Sequence, residues 1–235
     1  MKLIIAEPEL TRGLRAVRGA ISKRETIPIL ANVLLRATKG GQLYLHGTDL
    51  DIATSIEVPA RVEDGGTTTV ECERFHAFTS KLPQGADVKI ETSDASLKVS
   101  AGRARATFHT LPASDYPEPA ADVATHVFSL PSVALRRLFG RAQFAISTEA
   151  TRYYLCGVHL HIHALQQNEK KILRAVATDG HRLALIEMDA PEGSCHTAGD
   201  SGFNPCRGVI VPRKTVAEVI KLSESCDQAD IGIST

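Results

Sequence analysis

An α+β fold made of tandem helix-decorated antiparallel sheets is predicted by the sequence, on three observations. Short alternating or β-branched segments recur along the whole chain, four longer windows carry apolar residues at helical spacing, and the same order of elements appears twice. Strands are predicted over residues 3–6, 33–38, 43–47, 52–58, 67–72, 88–92, 97–101 and 104–109, then over 127–130, 155–164, 172–177, 183–188, 209–211 and 231–233. In the first helix Leu10, Leu14, Val17 and Ile21 form one buried stripe, with Arg12, Arg15 and Arg18 on the remaining surface and Lys23 and Arg24 following. The second helix turns Phe75, Phe78 and Leu82 inward and leaves Arg74 and Lys81 on a shared flank. The third buries Val133, Leu138 and Ala142, takes Pro131 in its first turn, and shows Arg137 and Arg141 on its outer face. The fourth buries Val216, Val219 and Ile220 and exposes Lys214 and Lys221, with Arg213 at its start.

Residues 111–120, LPASDYPEPA, read as a linker between two similar halves. Gly47-Thr48-Asp49-Leu50-Asp51-Ile52 parallels Ala177-Thr178-Asp179-Gly180-His181-Arg182. Residues 69–74 and the helix after them parallel residues 209–214 and theirs, and residues 87–93 parallel 229–235. On this register the second copy stops before the strands that the first supplies over 97–109, which leaves a sheet edge open. The expected division is a first domain over 1–120, a linker over 121–127 and an incomplete second domain over 128–235.

Hydrophobic residues at 43% and charged residues at 23% allow an ordinary buried core. No apolar run reaches the roughly 18 residues of a membrane span. The opening MKLIIAE carries no signal-peptide pattern, so a cytoplasmic protein is expected. Cys72, Cys156, Cys195, Cys206 and Cys226 are scattered without a Cys-x-x-Cys pair, which favours reduced thiols over a disulfide framework or zinc knuckle. Basic and acidic residues balance at 27 each, yet the windows 10–24, 74–82, 131–143 and 213–222 hold thirteen basic residues against Glu218 alone. Cationic helices suit phosphate, although ordinary solvated helix faces also carry Lys and Arg. With neither Gly-x-x-x-x-Gly-Lys-Ser/Thr nor Gly-x-Gly-x-x-Gly present, a polymer backbone is a better match than a nucleotide.

Three groups invite enzymatic or metal readings. His159, His161 and His163 alternate on one strand, a zinc spacing when other ligands complete the set and a solvated strand face otherwise; no metal is expected. Asp49, Asp51 and Asp179 can be read as magnesium carboxylates of a nuclease or nucleotidyl transferase, but Asp after Thr closes turns, and one such pair in each half favours turn chemistry. Tyr153 and Tyr154 suit either a base-stacking platform or a core. Asp179, Gly180 and His181 lack the Gly-x-Ser-x-Gly elbow of a hydrolase. No catalytic residue and no cofactor is expected.

Six stretches in order, RETIPILANVLL at 24–35, GTDL at 47–50, LPASDYP at 111–117, RYYL at 152–155, ATDGHRLA at 177–184 and VIVPRK at 209–214, resemble the bacterial sliding clamp family, the beta subunit of DNA polymerase III. The resemblance spans the chain. It implies the DNA-clamp fold, in which two subunits of three similar domains close a ring with helices lining the hole and sheets outside. It also implies a non-catalytic processivity factor of DNA replication that encircles double-stranded DNA. Arg24, Tyr153, Tyr154, Arg213 and Lys214 match positions that approach DNA, and charge geometry adds Arg137 and Arg141. Arg152, Leu155, Thr178, Gly180, His181, Arg182 and Leu183 match the walls of a shallow pocket for peptide tails. The tails belong to the polymerase III catalytic subunit, the clamp loader, other polymerases and repair proteins. Arg74, Arg103, Arg105 and Phe108 match the first-domain side of the homodimer interface. Against the family pattern the third domain is absent, Ala106 replaces a large apolar residue, Cys156 stands where Asn is common, and the loop from Cys195 to Cys206 is long. The chain alone is expected to be a monomer with weak, salt-sensitive affinity for DNA.

Overall fold

The computed structural model describes residues 1–21, 27–93, 95–117, 124, 126–164, 171–192, 194 and 208–233. They form two compact units, Met1–Ala120 and Ala121–Thr235. Unit 1 runs β1 (Lys2–Ala6), α1 (Glu7–Val17), β2 (Asn32–Thr38), β3 (Gln42–Thr48), β4 (Ala53–Pro59), β5 (Arg61–Asp64), β6 (Gly66–Glu71), α2 (Cys72–Thr79), β7 (Asp87–Ser93), β8 (Ser96–Ala101) and β9 (Ala104–His109). The strands make two antiparallel sheets, ordered β4-β3-β2-β6 and β5-β1-β7-β8-β9. Alternation fixes which face is buried: Leu3 and Ile5, Val88 and Ile90, and Leu97 and Val99 all point into one core with Leu10, Leu14, Val17 and Phe75 from the helices. Pro8 pre-sets the first turn of α1, where Glu7 and Glu9 also complement the helix dipole.

Two sequence expectations for unit 1 need correction. Arg18 is not a free surface cation, because its guanidinium meets the Glu73 carboxylate with two hydrogen bonds (2.6 and 2.7 Å) and couples α1 to α2. The start of the 111–120 stretch is not a loose linker either. Thr69 Oγ1 donates to the Leu111 carbonyl (2.8 Å), and the buried Tyr116 hydroxyl donates toward the carbonyls of Asn32 and His46 (3.1 and 3.3 Å). Residues 111–116 are thus strapped onto β2, β3 and β6. The short strand β5 was not expected, since Arg-Val-Glu-Asp shows no β-rich run; it exists because it pairs with β1.

Unit 2 repeats the plan with β10 (His126–Pro131), α3 (Ser132–Ala142), β11 (Gly157–Ala164), β12 (Lys171–Thr178), β13 (Leu183–Asp189), β14 (Val209–Pro212), α4 (Arg213–Leu222) and β15 (Gln228–Ile233). Its four-stranded sheet has the order β13-β12-β11-β14, the counterpart of β4-β3-β2-β6, and β10 pairs β15 as β1 pairs β7. Among the described residues no strand lies beyond β15, where unit 1 has β8 and β9. Ile231 and Ile233 line an apolar groove with Leu135, Val209 and Val219. The third helix begins at Ser132, one residue after Pro131, and its buried face is Leu135, Leu138, Phe139 and Ala142. Val133 is 68% exposed, against expectation. The strand expected from residue 155 starts at Gly157, because residues Ala150–Leu155 wind into 3-10 turns. Gly157 is required there: a Cβ would sit 2.4 Å from the Val211 carbonyl oxygen.

Candidate peptide-binding and nucleic-acid surfaces

The turn joining β12 to β13 is closed by its own side chains. Thr178 Oγ1 donates to the Arg182 carbonyl (2.7 Å) and accepts from the Gly180 amide (3.1 Å). Asp179 Oδ1 accepts the amides of His181 and Arg182 (3.0 Å each), which holds the carboxyl down to about 2. Gly180 sits at φ +91°, a conformation that strains any residue with a Cβ. Arg182 Nε donates to Asp179 Oδ2 (2.8 Å), and its guanidinium carbon lies 5.6 Å from the centroid of the Phe144 ring. Arg152, paired with Glu149 at 3.2 Å, reaches the same turn; its Nη1 is 3.6 Å from the point where a Gly180 Cβ would lie.

The structure therefore brings Arg152, Thr178, Gly180 and Arg182 together, with Leu183 adjoining at the start of β13. Leu183 and Phe144 are exposed at 61% and 56%. His181 is exposed, and Leu155 is half-buried at the end of the 3-10 segment, its carbonyl accepting the Ser147 amide (3.0 Å). Sequence reasoning missed Phe144, which follows α3 without any local motif and meets Arg182 only through the fold.

A second group lies on adjoining segments of unit 2. Tyr153 and Tyr154 are exposed at 78% and 55% and pack edge to face (centroids 5.6 Å), so neither belongs to the core. The Arg213 amide donates to the Cys156 carbonyl (2.9 Å), fastening the start of α4 to the turn that carries the tyrosines. Arg213 and Lys214 are exposed there, and Arg137 and Arg141 are exposed on α3. Arg136 is only half-exposed and donates to the Ser223 carbonyl. Arg24 lies outside the described residues.

Residues 1–120 match the family described as DNA polymerase III beta subunit, N-terminal domain, and residues 129–235 match its central domain. The chain belongs to the DNA polymerase III beta subunit family. It is 41% identical over 237 residues to the beta sliding clamp of Caulobacter vibrioides, an alignment covering 100% of this chain and 60% of that protein. A solved beta sliding clamp from Caulobacter crescentus superposes with a TM-score of 0.90 at 41% identity, again over 100% of this chain and 60% of the other. A Bartonella birtlesii clamp solved with bound griselimycin gives a TM-score of 0.90 at 34% identity with the same coverage. The chain thus spans about 60% of the length of the beta clamps it matches.

Arg103 and Arg105 are exposed on and beside β9, an edge strand. Arg74 is exposed and pairs with Glu71 at 2.9 Å. Phe108 packs edge-on against Phe75 and Phe78 (5.5 and 5.8 Å), so one side of it belongs to the unit 1 core. Arg12 pairs with Glu9 (2.6 Å), which together with the Arg18 and Arg74 pairs shows that acids on or flanking the same helices neutralise part of their positive charge. Asp49 closes a turn in unit 1 as Asp179 does in unit 2, and no group of three or more His, Cys, Asp or Glu among the described residues is arranged to hold a metal. The His159 and His161 rings stack with centroids 4.6 Å apart. Among the described residues no helix is long and apolar enough to cross a membrane.

Proposed function

We propose that this chain serves in a sliding clamp: a non-catalytic accessory subunit that encircles double-stranded DNA in the cytoplasm and tethers the replicative polymerase through the unit 2 turn. The observation that carries the reading is that Arg152 reaches a turn stiffened by Asp179 that holds Gly180 and Arg182 and leads into the exposed apolar Leu183. Extended peptide tails of the polymerase III catalytic subunit, the clamp loader, other polymerases and repair proteins would lie across Gly180, where no Cβ obstructs the backbone. Tyr153, Tyr154, Arg213, Lys214, Arg137, Arg141 and Arg24 would meet DNA through phosphate attraction, which carries no base information and so permits sliding. Arg74, Arg103, Arg105 and Phe108 would take part in pairing of whole subunits, the edge strand β9 offering unpaired backbone groups. The family membership and the griselimycin complex of the Bartonella relative support the reading.

Three measurements test it. Fluorescence anisotropy on two duplexes of unrelated sequence should give equal, weak affinities that fall with salt, and the double substitution Arg213→Ala, Lys214→Ala should flatten the log–log salt slope by about 2. Discrimination between the duplexes would contradict phosphate-only contact. A fluorescein-labelled hexapeptide of alternating leucine and aspartate, amidated at its C terminus, should bind the chain and be lost on Arg152→Ala; a peptide indifferent to that change would remove the turn from the site. Magnesium-dependent cleavage or extension of DNA that Asp179→Ala abolished would instead establish an enzyme.

A further inference from the structure

Arg182 is held on two sides by residues outside the expected pocket set. On one, Asp179 accepts its Nε–H at 2.8 Å. On the other, the Phe144 ring lies 5.6 Å from the guanidinium carbon, within cation–π range. Phe144 is more than half exposed and belongs to the 3-10 turn Gln143–Ala145, which follows α3 and packs beside β12 and β13. The ring faces the guanidinium of a long side chain that, left to itself, would sample many rotamers and lose that freedom on binding a ligand.

We propose that Phe144 and Asp179 are positioning residues that pin Arg182 as a fixed cationic rim beside Leu183, so that the peptide site of unit 2 is ordered before a ligand arrives. This rests on the peptide-site reading above and adds two residues to it. Asp179 has a double part in the arrangement. One carboxylate oxygen closes the turn through backbone amides, and the other orients the arginine. Substitution by Asn keeps an acceptor for the amides but removes the charge facing Arg182, separating the two parts. The ligand favoured is an extended peptide carrying an acidic and an apolar side chain, because the pinned guanidinium is a fixed cation, the next residue in the chain is an exposed leucine, and Gly180 presents backbone without a Cβ.

The test uses the 235-residue chain and has two arms. Solution NMR of the arginine Nε–H groups should show an Arg182 proton shifted by the Phe144 ring current; the shift should vanish in Phe144→Leu and persist in Phe144→Tyr. In the second arm, affinity for the alternating leucine–aspartate hexapeptide should fall about threefold in Phe144→Leu and in Asp179→Asn, recover in Phe144→Tyr, and change no further when Phe144→Leu is added to Arg182→Ala. Additive losses in that cycle would overturn the inference by making Phe144 an independent contact, and so would an Arg182 proton unaffected by removal of the ring. If the unmodified chain ignores the peptide while the ring-current shift is present, the pinning stands and the peptide-site reading falls.

Discussion

Two turns, one in each unit, share the same hydrogen bonds and do different things. In unit 1 Thr48 Oγ1 donates to the Ile52 carbonyl (2.8 Å) and accepts from the Leu50 amide (3.0 Å), while Asp49 Oδ1 accepts the amides of Asp51 and Ile52 (3.1 and 2.9 Å). Thr178 and Asp179 make the corresponding bonds in unit 2. The third residue of each turn has positive φ, +78° at Leu50 and +91° at Gly180. Leu50 is the single non-glycine with that sign among the described residues. The Thr–Asp pair therefore dictates the turn, strongly enough to force a leucine into the left-handed region at a cost of about 1 kcal/mol. What the turn displays depends on its third and fifth residues. Unit 1 shows a leucine side chain and half-buries Ile52, whereas unit 2 shows bare backbone and an arginine.

The largest effect expected is from Asp49→Ala, which removes the acceptor of both amides and should cost about 2 kcal/mol in urea unfolding of unit 1; a change below about 0.5 kcal/mol would mean that the carboxylate does not hold the turn. Exchanging the third residues should give opposite signs. Gly180→Leu should destabilise unit 2 by about 1 kcal/mol, and Leu50→Gly should stabilise unit 1 by about the same amount. Equal signs would show that the two turns differ in more than this residue. A smaller, pH-dependent difference follows from Asp179. Its carboxyl is held from 3.8 down to about 2, chiefly by the His181 and Arg182 amides, so its contribution is complete above the unfolded value and lost as pH falls from about 4 through 2. Asp179→Asn should remove that part of the acid limb when stability is followed by tryptophan-free probes such as far-UV circular dichroism.

Most strands and all four helices were legible because their signals are local: period-2 alternation for β1, β7 and β8, and a stripe at steps of three and four for α1. The misses are non-local or one step out of phase. Val133 sits at a position compatible with a buried stripe until the helix start is fixed at Ser132; Leu138 and Ala142 of the expected stripe are buried, and Leu135 and Phe139 rather than Val133 complete that face. The Arg18–Glu73 pair joins residues 55 apart, so the charge windows counted as outward a group that the fold neutralises. The candidate pocket was legible as far as the Thr178–Leu183 turn and Arg152. Phe144 was not, because its only tie to the site is a ring face presented to an arginine from another element.

The most direct test of the account is the affinity of the alternating leucine–aspartate hexapeptide for two single variants, Gly180→Leu and Leu50→Gly, measured by anisotropy under conditions where both are folded. Placing a side chain over the unit 2 turn should weaken binding at least tenfold, and relieving the unit 1 turn should leave it unchanged. Equal affinities for the two variants, or a loss confined to Leu50→Gly, would contradict the assignment of the ligand site to unit 2.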